Sequence, residues 1–144
     1  MKYFLILFSI ILVSFTTLSG WNTNIEIAKK KASEQDKYIL LNFSGSDWCG
    51  NCIKLERELF SKDTFKNFAQ ESLVLLNADF PTKKKNKLSA EQTSHNEKLA
   101  EKFNPNGEFP KTIILNSKGE FVGEMKHPSK NVSEYLESIH KIIQ

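Results

Sequence analysis

An α/β domain is the fold class this sequence predicts, and three observations carry it. Two short, continuous apolar runs of strand length, YILLNF at 38–43 and LVLLNADF at 73–80, are of the kind buried in parallel sheets. Segments with apolar residues at helical spacing alternate with them. The clearest closes the chain, with Val132, Tyr135, Leu136, Ile139, Ile142 and Ile143 on one stripe.

The chain opens with Lys2, an apolar run from Tyr3 to Val13, and the small and hydroxylic stretch SFTTLSG, the three regions of a secretory signal peptide. The run is shorter than the roughly 20 apolar residues a membrane span needs. Residues 1–20 are therefore expected to be removed on export, leaving a single domain at 21–144 in the periplasm or another extracytoplasmic space. A retained leader is the only membrane attachment foreseen, because no cysteine follows the run to carry a lipid. A net charge of +3 with 26% charged and 40% hydrophobic residues describes an ordinary globular protein, and nothing asks for a nucleic-acid partner.

Thr23 with Glu26 three residues on reads as a capping box ahead of Ile25, Ala28 and Ala32, giving a first helix before the 38–43 strand. The turn SGSD leads into a helical segment with Cys52, Ile53, Leu55, Leu59 and Phe60, and residues 62–70 continue it with Phe65, Phe68 and Ala69 on one face. Pro81 ends the second strand. A helix then starts at Ser89 with Gln92, or at Ser94 with Glu97, and carries Leu99, Ala100 and Phe103. NPNGEFP breaks that helix, KTIILN forms a third strand, Asn116 to Gly119 turns, and EFVGEM pairs back as a hairpin ahead of the last helix.

The chemistry lies in SGSDWCGNCIKLE, which holds the chain's two cysteines, Cys49 and Cys52. As a structural disulfide the pair would do little: a bridge closing about four residues stabilises by roughly 2 kcal/mol, against roughly 3 for about fifteen. Structural zinc needs four ligands, and His95, His127 and His140 are scattered and left without a role. A thiophilic ion such as Cu(I) suits two thiolates, but no Met or His stands near to complete the site. The reading the location favours is a pair that cycles between dithiol and disulfide. A strand hands over to a helix at this point, which puts Cys49 at a helix N-terminus where N–H groups and the dipole favour a thiolate. Cys52, one turn further in, is then the resolving cysteine.

WCGNC after a buried strand, followed some sixty residues later by FP leading into a strand and hairpin, resembles the thioredoxin superfamily over about 22–144. Within it the chain is most similar to exported members whose active segment reads GSDWC. The resemblance implies a central mixed β-sheet flanked by helices, and a cis Phe109–Pro110 bond facing the sulfurs. It also implies that Trp48, Phe109 and Pro110 hold an extended substrate segment. The implied function is that of a thiol-disulfide oxidoreductase that needs no cofactor or metal and works as a monomer. Its partners are disulfide-bearing proteins and a thiol electron donor. A thiophilic-metal module and a non-catalytic thioredoxin-like interaction module are the alternatives.

The departures from that pattern are specific. Thioredoxin's buried acid and neighbouring lysine align here with Asn42 and Leu75, so deprotonation of Cys52 falls to water or to a local carboxylate, Asp47 or Glu56. Gly50 and Asn51 between the cysteines add no charge, which points to a moderately reducing pair acting as a reductase or isomerase, with Asp47 working slightly against the Cys49 thiolate. The stretch PTKKKNKLSAEQ is the least thioredoxin-like. It reads as a solvated loop or, functionally, as an insertion that touches a partner protein or an anionic surface near the membrane. Asn131-Val132-Ser133 is a glycosylation sequon by pattern only.

Overall fold

The computed structural model describes residues 20–126 and 131–144. The expected leader, apart from Gly20, and His127 lie outside the described residues. The elements run α1 (Ile25–Gln35), β1 (Tyr38–Ser44), α2 (Gly50–Leu55), a π-helical turn (Glu56–Phe60), α3 (Asp63–Ser72), β2 (Leu73–Asp79), a short 3-10 turn (Lys84–Asn86), α4 (Ala90–Phe103), β3 (Lys111–Leu115), β4 (Phe121–Met125) and α5 (Val132–Ile143). The strands form one mixed sheet in the order β2-β1-β3-β4. β1 runs parallel to β2 and antiparallel to β3, and β3 runs antiparallel to β4. This is the mixed sheet flanked by helices that the resemblance implies.

The continuous apolar runs are strands buried on both faces, and their alternate residues feed two separate cores. Ile39, Leu41 and Phe43 of β1 pack with Ala28 and Ala32 of α1 and Leu99 of α4. Leu40 faces the other way, with Phe60, Phe65, Tyr135 and Ile139 from the π turn, α3 and α5. The outer edge of β2 is partly covered by Asn22, which pairs with Leu76 as an isolated parallel bridge, an edge treatment that limits stray pairing.

Two helix starts refine the sequence reading. α1 is capped not by Thr23 but by Asn24, whose Oδ1 accepts from Glu26 N at 2.8 Å and Ile27 N at 3.2 Å. The Ile25 N–H is taken by His95 Nε2 at 3.2 Å, and the Thr23 carbonyl accepts from Gln92 Nε2 at 2.9 Å. Contacts from α4 thus fix which of two good capping residues caps. α4 itself starts at Ser89, the first of the two starts read from the sequence, whose Oγ accepts from Gln92 N at 3.1 Å. Asn131 of the sequon caps α5 by accepting from Glu134 N at 2.9 Å.

Asn24→Ala is expected to cost about 1 kcal/mol, the usual worth of a cap. Thr23→Ala should stay within about 0.5 kcal/mol. Urea midpoints of the two variants measure this directly, and the reverse order would restore the Thr23 cap.

Candidate active site

Five residues carry the chain from the end of β1 to the start of α2, and their geometry is set by what they touch. A Cβ on Gly45 would stand 2.3 Å from Trp48 Cε2, so only glycine lets the indole fold back over the turn. Trp48 Nε1 then donates to the Phe80 carbonyl at 2.7 Å. Ser46 donates to Asp79 through its N–H at 2.9 Å and through its hydroxyl. Cys49 N–H returns to the Gly45 carbonyl at 2.9 Å, which closes the turn and delivers Cys49 as the cap residue of α2.

At that cap the Cys49 Sγ accepts from Cys52 N at 3.2 Å, and the two sulfurs are bonded, with their Cα atoms 5.2 Å apart. The structure is therefore of the oxidised form. Whole-residue exposure barely separates the two, at 7% for Cys49 and 4% for Cys52. Their surroundings do separate them. Cys49 follows the half-exposed Trp48, whereas Cys52 lines a cavity of about 510 Å3 together with Asn42, Ser44, Asn77, Glu56 and Arg57. Gly50 and Asn51 are exposed in the first turn of α2.

The β1–β2 register pairs Asn42 with Asn77, and Leu75 with Leu40. A buried polar row results. Asn42 Nδ2 donates to Asn77 Oδ1 at 3.1 Å, and Asn42 Oδ1 accepts from the Thr112 hydroxyl at 2.9 Å. Each buried amide is thus answered, avoiding the roughly 1–3 kcal/mol that an orphaned polar group costs. Thr112 also meets the Tyr135 hydroxyl, although burial outweighs that contact and pushes the phenol well above its ordinary range.

The two acids read as candidate bases occupy different places. Asp47 accepts from the N–H of Thr82 at 2.9 Å and Lys83 at 3.0 Å, and from Asn86 Nδ2 at 2.8 Å. The Thr82 N–H is the main reason its carboxyl falls from 3.8 to about 2, with burial opposing and the Asn86 and Lys83 donors adding to it. Asp47 thereby clamps the 82–86 loop. Glu56 shares the cavity with Cys52, one turn along, and its backbone N–H donates to the Cys52 carbonyl. The π turn carries it there: Ser61 N–H reaches back to the Glu56 carbonyl at 2.8 Å, five residues away, and the Ser61 hydroxyl donates to Glu56 Oε1 at 3.1 Å.

The Phe109–Pro110 bond is cis. The Phe109 ring packs edge-on to Trp48 at 5.4 Å and to Phe80 at 5.5 Å, which ties the Pro110 segment to the turn bearing Cys49. The approach to it is set by the buried Asn104, which sequence reading passed over. Its Nδ2 donates to the Glu108 carbonyl at 2.8 Å and its Oδ1 accepts from Glu108 N at 2.9 Å. The Asn-Pro step at 104–105, a common turn signal, could have marked it. Among the described residues, no group of three or more His, Cys, Asp or Glu is placed to hold a metal ion.

A family model described as thioredoxin-like matches residues 20–117. The disulfide bond reductase DsbH of Chlamydia pneumoniae is 28% identical over 124 residues, covering 86% of this chain and 72% of that protein. A solved structure of a DsbH oxidoreductase is 27% identical with a TM-score of 0.78, over 86% of this chain and 83% of that one. A thioredoxin from Thermus thermophilus, 15% identical with a TM-score of 0.63 over 83% and 84% of the two chains, shares the fold.

Because the folded Asp47 carboxyl lies below its unfolded value, the folded state binds fewer protons between the two, so the stability it contributes is complete above about pH 4 and is lost as pH falls toward about 2. Urea midpoints of wild type and Asp47→Asn should therefore differ near neutrality and converge as pH approaches 2. A gap that stays constant over that range would mean that the loop clamp does not depend on the carboxylate.

Proposed function

The chain belongs to the thioredoxin-like family and is a thiol-disulfide oxidoreductase, and from that premise we propose that it reduces or isomerises disulfides of exported proteins. The observation that carries the reading is the Cys49–Cys52 bond at the cap of α2. A Cys49 thiolate there is favoured by the Cys52 N–H its sulfur already accepts. It attacks a substrate disulfide, forms a mixed disulfide and releases one substrate thiolate. Cys52 then attacks Cys49, releases the second substrate thiolate and leaves the enzyme oxidised. A thiol electron donor returns two electrons and restores the dithiol.

Trp48, Phe109 and Pro110 form the surface on which an extended substrate segment lies, a reading supported by the ring contact between Trp48 and Phe109. Proton removal from Cys52 passes through the cavity to Glu56, since the core beside it offers only the neutral Asn42 and Asn77. Uncharged Gly50 and Asn51 add no cation between the two sulfurs, and this supports the direction toward reduction. Removal of residues 1–20, an extracytoplasmic setting and a monomeric state complete the proposal. The DsbH likeness, which in Chlamydia pneumoniae is to a disulfide bond reductase, supports it.

Pre-reduced and freed of reductant, then mixed with insulin, Cys52→Ser should accumulate mixed disulfides and Cys49→Ser few or none; the opposite pattern would exchange the two roles. Glu56→Gln should slow release of the mixed disulfide about tenfold or more near neutrality, as removal of a proton acceptor does, with recovery as pH rises. Release rates unchanged at every pH would leave Cys52 to deprotonate directly to water.

A further inference from the structure

Lys83, Lys84, Lys85 and Lys87 are all exposed, and none takes part in an ion pair among the described residues. Four lysines elsewhere do pair, Lys29 with Glu26, Lys30 with Glu34, Lys54 with Glu58, and Lys111 with both Glu108 and Glu124, while others stand singly; the loop differs in gathering four together. Like charges this close repel one another. Yet the loop that bears them is anchored. Asp47 holds the N–H groups of Thr82 and Lys83 and the Asn86 side chain, while Ser46 and Trp48 hold Asp79 and Phe80 at its root. Asp47 stands two residues before Cys49, a backbone reach of at most about 7 Å. The fold therefore holds a cationic ridge near the redox pair, its lysine side chains outside any ion pair and the Asp47 carboxylate engaged by the loop's backbone and Asn86.

We propose that this ridge selects substrates, resting on the oxidoreductase reading above: the preferred partner is a polypeptide whose disulfide cysteine has acidic residues within about two to five positions. An extended segment on Trp48 and Phe109 would set such carboxylates against the lysines while its sulfur meets Cys49. The Phe109 side carries no such excess: Lys111 pairs with Glu108 and Glu124, at 2.7 and 3.2 Å, and Lys126 lines the same pocket. That asymmetry favours a narrow peptide with its acids on one side over a flat anionic membrane, which would press on both. Attraction of this kind acts mainly on encounter and is screened by salt, over about 10 Å at 0.1 M.

The test compares the full chain with the variant K83Q/K84Q/K85Q/K87Q on three disulfides: a peptide with acidic flanks, its counterpart with basic flanks, and uncharged hydroxyethyl disulfide. Wild type should show kcat/KM at least about tenfold higher for the acidic than for the basic peptide at low salt, a preference that shrinks as salt rises. The variant should lose that preference and keep its rate on hydroxyethyl disulfide, which also shows that it is folded. Equal rates on both peptides in wild type, or a loss in the variant shared by all three substrates, would overturn the proposal. So would salt-sensitive binding to phosphatidylserine vesicles without peptide preference. Failure of wild type to reduce hydroxyethyl disulfide would overturn the oxidoreductase reading itself, and the proposal with it.

Discussion

Three successive residues, Ser46, Asp47 and Trp48, hang the redox turn on the chain that leaves β2, and the site depends on that suspension. Ser46 takes Asp79, Trp48 takes the Phe80 carbonyl, and Asp47 takes the backbone of Thr82 and Lys83. β1 and β2 are adjacent and parallel, so their C-terminal ends meet, and a turn leaving one can grip a loop leaving the other. Cys49 follows directly and is delivered to the cap of α2 with little freedom left to it. The same bonds fix the lysine loop, so the position of Cys49 and the charge around it have one cause.

Beneath the sulfurs the sheet trades charge for neutral amides. The row Asn77, Asn42 and Thr112 crosses three strands with its hydrogen bonds made. A buried ion pair there would carry a desolvation cost of several kcal/mol per ion, offset only by good geometry. The neutral row avoids that cost but offers no proton acceptor. The π turn brings Glu56 to the cavity that Cys52 lines, which supports the proton transfer proposed there, apart from the neutral core.

What was legible in the sequence follows from how local each cause is. The strands at 38–43 and 73–80 were legible because burial on both faces writes a continuous apolar run, and the last helix because its stripe lies within one segment. Cys49 at a strand-to-helix junction was legible for the same reason. The neighbour of Asn42 was not: only the strand register, which the side-chain pattern leaves open, brings Asn77 to it. The cap of α1 turned on His95 and Gln92, about seventy residues away in sequence. Asp47 looked like an acid beside a thiolate because its true partners, at 82–86, are joined to it only by the fold.

The central claim, a reducing Cys49–Cys52 dithiol, is tested most directly by equilibrating the protein with glutathione redox buffers and measuring the thiol–disulfide ratio. With neutral Gly50 and Asn51 between the sulfurs, the expected potential lies at about −200 mV or below, toward that of thioredoxin at about −270 mV. A value near −120 mV, where strong disulfide donors lie, would contradict the reductive direction. A pair that does not exchange with glutathione at all would contradict the redox site.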